Sequence, residues 1–303
     1  MSGTVLILGA NGRFGSHAAE AFWNAGWRVR IFDRAVDDLM VSAQGVDLIV
    51  NAWNPPYPHW QAQVPGITKS VIAAARAHGC TVLIPGNVYV FGPDAPATFA
   101  TDTPHRASNP LGRIRIEMEA AYRASGVPTI ILRAGDFLDT QPSGNWFDKV
   151  MTARLSKGIF TYPGHTDAPH AWAYLPDLAR AAVALANQRA DLAPFCDVPF
   201  PGYTLTGEEL RAALSDRLHR DVTLKRMNWL PLVLARPFWP MARHLLEMRY
   251  LWSKPHLLDP ARFDALVPQF HTTPIEDALA SAIKHQIHPD KPVPRHTGAL
   301  VSQ

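Results

Sequence analysis

Gly9-Ala-Asn-Gly12-Arg-Phe-Gly15 follows directly on the apolar run Thr4–Leu8 and opens a helical pattern from Arg13 to Ala25. A strand that turns through three glycines into a helix is the strongest constraint in this chain. Glycines permit the tight turn and close packing of helix on strand. They also let backbone N–H groups at the helix start approach a pyrophosphate. Eighteen residues past Gly15 a second β-rich run, Arg28–Phe32, ends in Asp33, near where a ribose-binding acid is expected. The order strand, turn, helix, strand, acid predicts a dinucleotide site built from Gly9, Asn11, Gly12, Arg13, Phe14, Gly15 and Asp33. A carboxylate at Asp33 would repel a 2′-phosphate, which favours NAD. Arg34 or Arg13 could clamp that phosphate in bidentate fashion, so NADP is possible as well.

The pattern continues along the first half of the chain. Asp47–Asn51, Thr81–Pro85 and Thr129–Arg133 are dense in Val, Ile and Leu without alternation, as strands covered on both faces are. Helical patterns at Ile67–His78 and Leu111–Ser125 separate them, and Gly26, Gly79 and Gly126 fall just past helix ends. A further strand, Ala171–Leu175, leads into a helix from Pro176 to about Arg189. This is the pattern of an α/β fold, a doubly wound, Rossmann-like parallel sheet of about seven strands. After Pro194 the texture changes, and 13 of the 27 prolines lie from there onward. Thr206-Gly-Glu-Glu209 reads as a capping box, and Asp259-Pro260 and Thr273-Pro-Ile-Glu276 as further helix starts. We therefore expect a nucleotide-binding domain over 1–200 and a smaller, mainly helical substrate lobe over 201–288, to which 141–169 contributes. Residues 289–303 read as a loose tail.

Composition excludes several classes. Of 303 residues, 47% are hydrophobic and 18% charged, which suits a sizeable core and not a disordered binding protein. A net charge of +3, spread along the chain, carries no nucleic-acid signature. Cys80 and Cys196 form no Cys-x-x-Cys pair, so a cytoplasmic protein is the default expectation. No uninterrupted apolar run reaches membrane-spanning length. The nearest, Trp229–Met241, is cut by Pro231, Arg236, Pro237 and Pro240.

The glycine spacing resembles that of the extended and atypical short-chain dehydrogenase/reductase (SDR) superfamily. Further segments agree: Val46-Asp-Leu-Ile-Val-Asn-Ala52, Gly66 to Gly79, Asn87-Val-Tyr-Val-Phe-Gly92, Leu132-Arg-Ala-Gly-Asp-Phe137 and Trp172-Ala-Tyr-Leu-Pro-Asp177. The combination of Pro85-Gly-Asn-Val-Tyr with Arg-Ala-Gly-Asp-Phe is similar to an NAD-dependent epimerase/dehydratase-like branch. The resemblance runs from the start to about Arg189. It implies that Ala52 lies on the adenine side of the cofactor and that a homodimer forms through helices 67–78 and 111–125.

Typical members pair a Ser or Thr with Tyr-x-x-x-Lys on the helix after the fifth strand. Here the Ser position is Asn87, the Tyr position Leu111 and the Lys position Arg115. Leucine cannot move a proton, so the usual triad is absent. Arg115 could still hold the nicotinamide ribose, but its pKa is too high for acid catalysis. Asn87 could orient a carbonyl, Tyr89 could offer a phenol if the strand continues, and Asp136 sits past Thr129–Arg133 at the ligand-binding edge of such sheets. These three are the candidate catalytic groups; for Tyr89 and Asp136 a buried, hydrogen-bonded side chain is the plain alternative.

His165 and His170 flank a Gly/Pro-rich loop at the expected cleft. His285 and His288 share a helix face without an acidic or cysteine partner, and no metal site is expected. Arg113/Glu117 and Arg115/Glu119 read as surface i, i+4 pairs. Trp229, Phe238, Trp239, Trp252, Met241 and Met248 read as the core of the second lobe, or else as an apolar lid or a surface that meets a membrane or partner.

The expected activity is an NAD(P)-dependent oxidoreductase of atypical SDR type, acting on a small, partly apolar carbonyl, alcohol or activated alkene. A nucleotide-sugar epimerase or dehydratase-like enzyme is one alternative. A catalytically silent NAD(P)-binding sensor or assembly protein is the other.

Overall fold

The fold is described from a computed structural model covering residues 3–287. His288 and the expected tail, 289–303, lie outside the described residues. In chain order the first half runs β1 (Thr4–Leu8), α1 (Arg13–Asn24), β2 (Arg28–Phe32), α2 (Leu39–Ser42), β3 (Leu48–Asn51), α3 (Trp60–His78), β4 (Thr81–Gly86), β5 (Thr98–Phe99), α4 (Pro110–Ser125), β6 (Thr129–Arg133) and β7 (Asp136–Leu138). Next come β8 (Ile159–Tyr162), β9 (His170–Tyr174), α5 (Leu175–Asn187), β10 (Phe195–Pro199), β11 (Tyr203–Leu205), α6 (Gly207–Leu218) and β12 (Thr223–Arg226). The chain closes with α7 (Leu230–Ala235), α8 (Pro240–Glu247), β13 (Leu257–Leu258), α9 (Ala261–Leu266) and α10 (Ile275–Ile287).

Six strands form one parallel sheet in the order β2-β1-β3-β4-β6-β10. Its side chains alternate strictly between two cores, as the two-residue strand period requires. Leu6, Leu8, Ile49, Val82, Ile84 and Ile131 meet Val64, Val71, Met118 and Tyr122 of α3 and α4. Val5, Ile7, Leu48, Val50, Leu83, Ile130 and Leu132 meet Phe14, Phe22, Leu178 and Leu185 of α1 and α5. Each fully buried side chain of this kind contributes about 1.5–3 kcal/mol.

The sheet has six strands instead of about seven. Between β2 and β3 the chain has only residues 33–47, and the single turn of α2 occupies part of them. That is too short for a helix and an added edge strand. Two further readings shift. The sixth strand is β10, hidden in the proline-rich texture after Pro194. The expected strand near Ala171 is β9, which pairs with β7 and β11 in a separate three-stranded sheet. Helix α3 starts at Trp60, ahead of the expected Ile67, and runs through Pro65. The lobe region holds a short strand pair, β8 with β12, and its β13 pairs with β5 from the first half of the chain. The capping box at Thr206 is present, with Glu209 N–H donating to Thr206 Oγ1 at 3.1 Å.

Register fixes where the strand ends lie. Leu8 is level with Phe32 and Asn51, and Arg133 is level with Gly86 and Pro199. One rim therefore carries Gly9, Asp33, Ala52, Asn87 and Ala134 immediately beyond the strands. Arg133 ties half of that rim together. Its buried guanidinium donates to both carboxylate oxygens of Asp197 on β10, to Glu119 Oε1 (3.2 Å) and Oε2 (2.8 Å) on α4, and to the Asn87 carbonyl at 2.6 Å. Burial alone would lower the Arg133 pKa, but Glu119 and Asp197 outweigh it and raise it.

Removing one partner of such a cluster leaves buried charge uncompensated. Arg133→Met is expected to cost about 3–5 kcal/mol in denaturant unfolding. Adding Glu119→Gln and Asp197→Asn should recover much of that loss; an equal or larger loss in the triple variant would contradict the ion-pair account.

Candidate functional site

The glycine loop starts where β1 ends. Gly9 has φ +78°, and a Cβ there would lie 2.9 Å from the Ala52 carbonyl oxygen. At Gly15 a Cβ would come within 2.1 Å of the Gly9 oxygen, so no side chain fits while α1 keeps its approach to β1. The Gly12 N–H closes the turn on the Gly9 carbonyl at 2.9 Å. Helix α1 begins without a side-chain cap and without an acid in its first turn. Its leading N–H groups are thus left for an anion.

The other predicted loop residues behave differently from one another. Asn11 is exposed. Phe14 is buried in the α1–α5 core, so its side chain packs and does not face a ligand. Arg13 reaches across to donate to the carbonyls of Ser143 (3.0 Å) and Gly144 (2.8 Å), which engages donors a 2′-phosphate would need. Asp33 is exposed at the end of β2, with its Oδ1 accepting from the Ala35 N–H at 2.9 Å. The Arg34 guanidinium lies 5.6 Å over the Trp53 ring, beside Ala52. A cavity of about 30 Å³ opens at this rim between Asn51, Ala52, Trp53, Pro85 and Arg115.

Arg115 does not pair with Glu119 on the surface. Glu119 turns into the sheet to Arg133, while the Arg115 guanidinium lies 4.8 Å over the Trp60 ring. Its Nε is buried without a partner, and burial lowers its pKa. The face of α4 that carries both residues packs on the sheet, which the i, i+4 spacing alone could not reveal. Leu111, at the missing tyrosine's position, is buried, and its N–H donates to Glu247 Oε1 at 2.7 Å.

Asn87 and Tyr89 also depart from expectation. β4 ends at Gly86, and Val88–Val90 is a single tight turn capped by Asn87, whose Oδ1 accepts from the Tyr89 N–H at 3.1 Å. The strand does not continue, so Asn87 is held as a cap. Tyr89 nevertheless meets Tyr57, with their hydroxyls 2.6 Å apart. Tyr57 lies just before α3, in a proline-rich segment, and no motif in the sequence singles it out. Burial raises the pKa of both phenols; for Tyr89, the Tyr57 and Asp136 charges add to a shift well above 10.

Asp136 opens β7 and accepts from His170 Nε2 at 2.9 Å. His170 is buried and stacks on Trp252 with centroids 4.5 Å apart, while His256 sits edge-on at 4.4 Å. His256 donates from Nδ1 to the Lys254 carbonyl at 2.9 Å, and burial pushes its pKa down to about 3. Tyr162 Oη, Trp172 Nε1 and His256 Nε2 are buried without partners in the same aromatic cluster. His165, by contrast, is exposed.

His105, Glu119 and Asp197 bring ligand atoms within 4.8 Å of one another. Both carboxylates already bind the Arg133 guanidinium, so this group is an ion-pair cluster. The aromatic segment of the second lobe divides. Trp229, Trp252 and Met248 are buried as expected, but Phe238 is 89% and Trp239 47% exposed. They lie outside any core.

Comparison with protein-family models and with curated proteins gives no match. Solved structures do match over nearly the whole chain. MoeE5 in complex with UDP-glucose and NAD superposes with a TM-score of 0.73 at 16% identity, covering 95% of this chain and 99% of its own. UDP-glucuronic acid 4-epimerase from Bacillus cereus, in complex with UDP-glucuronic acid and NAD, gives 0.71 at 14% identity, covering 93% and 98%. L-threonine dehydrogenase from Phytophthora infestans gives 0.69 at 17%, covering 94% and 99%. At these identities the likeness establishes the fold: this chain has the doubly wound architecture of those proteins.

Proposed function

We propose that this protein binds NAD and catalyses hydride exchange between a secondary alcohol and its carbonyl, on a nucleotide-sugar substrate of the epimerase/dehydratase kind. The hydroxyl pair of Tyr57 and Tyr89, with the Asp136–His170 pair nearby on the rim that carries the glycine loop, is the observation that carries this reading. It supplies a phenol where Leu111 cannot. The UDP-sugars and NAD held by structures of the same fold support the substrate class.

The residues present fit the cofactor. Gly9 and Gly15 keep a cradle that a Cβ would fill, and the start of α1 has no side-chain cap. Asp33 would accept from the adenosine ribose hydroxyls, and the Arg13 contacts to Ser143 and Gly144 favour NAD over NADP. Arg115, with its unpaired Nε, would hold the nicotinamide ribose. NAD supplies the hydride acceptor and donor when bound. Tyr89 gives its proton to the substrate oxygen as the carbonyl is reduced and takes one from the substrate hydroxyl in the reverse direction. Tyr57 hydrogen-bonds the Tyr89 oxygen and stabilises the charge left there, and Tyr89 recovers its proton from the alcohol oxidised in the reverse direction. Asp136, positioned by His170, orients the substrate hydroxyl.

A second reading, a small and partly apolar carbonyl substrate, is favoured by the Trp172, Trp252 and His256 cluster around His170. In either reading residues 1–200 bind the cofactor and 201–288, with a contribution from 141–169, form the substrate lobe. A separate hydrophobic cluster joins Phe147, Met151, Leu155 and Phe160 to Leu210, Leu214, Trp229 and Leu279, which supports a shared lobe of those segments, while Phe263 and Phe270 pack on the sheet core. A homodimer would form across α3 and α4, where Ile72, Ile114 and Met118 line a groove of about 540 Å³. Buried, unpaired Cys80 and Cys196 suit a cytoplasmic setting.

Three measurements test these assignments. Asp33→Ala should weaken NAD binding about tenfold in a fluorescence titration while narrowing the preference over NADP. Tyr89→Phe should lower kcat about 10²–10⁴-fold with little change in KM, assayed with NAD against UDP-sugars and small apolar ketones. Tight NAD binding without turnover of either substrate class would instead identify a silent sensor. Ile72→Arg should shift sedimentation to the monomer.

A further inference from the structure

Helices α7 and α8 leave an apolar face without a partner among the described residues. Leu230 (57% exposed), Val233 (46%) and Leu234 (66%) follow one another at helical spacing, and Phe238 (89%) and Trp239 (47%) extend the face through the α7–α8 turn. Large apolar side chains so exposed and so close in sequence are uncommon on a protein that meets only water. The segment is nevertheless firmly seated from its inner side. Trp229 donates to the Pro163 carbonyl at 2.7 Å, Ala242 is buried, and Glu247 accepts from Asn109 and Leu111. The face is thus held outward by a rigid base.

Its electrostatics name the occupant. Between Asp221 and Glu247 the chain has no acidic residue and carries Lys225, Arg226, Arg236 and Arg243. All four cations are exposed. A second copy of this face would set like charges against like, and an uncharged protein groove would leave them unanswered. An anionic lipid surface matches both properties, since phosphates meet the arginines while Phe, Leu and Trp enter the headgroup–acyl boundary. Trp239 at the rim of the patch is the residue type that favours that boundary. Spanning is excluded by the prolines at 231, 237 and 240, and no described helix is long and apolar enough to cross a bilayer.

We propose that the α7–α8 face docks this protein on anionic membrane surfaces, lying in the interface without crossing it. This does not depend on the reaction assigned above. Tyr57 and His244 of α8 meet with ring centroids 6.4 Å apart, so the docked element also borders the tyrosine pair.

The test is flotation of the full-length chain with vesicles of phosphatidylcholine alone and of phosphatidylcholine with about one third phosphatidylglycerol. Binding should favour the anionic vesicles and weaken as salt rises. Phe238→Ser with Trp239→Ser should reduce the bound fraction more than about tenfold, because two interfacial apolar side chains are lost. Arg236→Gln with Arg243→Gln should reduce binding to the anionic vesicles about tenfold or more and abolish the lipid preference. All four positions are exposed, so unchanged circular dichroism is expected and checks folding. Absence of wild-type binding would overturn the proposal. So would equal binding by the Phe238/Trp239 variant, or a dimer that this variant converts to monomer in sedimentation.

Discussion

Three strand ends, one helix and one loop converge on the Arg133 guanidinium. It spans β6, reaches β10 through Asp197 and α4 through Glu119, and grips the loop after β4 by the Asn87 carbonyl. Two carboxylates and a cation of this kind are costly to desolvate, and the cluster repays that cost only when its hydrogen bonds are complete. Its value lies in position. The Asn87 carbonyl is fixed by Arg133 while its side chain caps the next turn, and that turn aims Tyr89 at Tyr57. The phenol pair therefore hangs from a charge cluster a few residues away.

Two phenols meet at the rim that this cluster holds. Leu111, where the resembled pattern has a tyrosine, is buried, and the phenols brought together at this rim are Tyr57 and Tyr89. Tyr57 and Tyr89 come from loops that precede and follow other elements, and their mutual hydrogen bond compensates for burial in an apolar wall of Trp60 and His244. Burial in this packing raises the pKa of both phenols and so disfavours their phenolate forms.

Much of the sheet was legible because its cause is local. Continuous apolar strands, glycines at 9, 12 and 15, and helix ends at Gly79 and Gly126 follow from short-range sterics, and the structure has them where the spacing puts them. The site was less so, because it depends on register. Tyr57 sits in a stretch with no periodicity, His170 meets Asp136 only when β9 pairs beside β7, and Glu119 turns inward to Arg133 on the next strand, β6. Phe14 and Asn87 show the converse: positions that a motif marks for a ligand are taken by packing and by a backbone cap. The exposed Phe238 and Trp239 could not be separated from the buried Trp229 and Trp252 by composition, since all share one aromatic-rich segment.

The six-strand sheet leaves β2 as a bare border, with the backbone groups of Arg28 to Phe32 turned toward water on one side. An open border is a template on which another chain could add itself, and the usual remedies are charge, twist or cover. This chain uses the first and last. Arg28 and Arg30 alternate with the apolar residues of β2, and the Arg30 guanidinium reaches over to the Gln44 carbonyl at 2.7 Å, drawing the segment around α2 against the border. With no further strand beyond β2, these two arginines oppose the pairing of a second chain along this border.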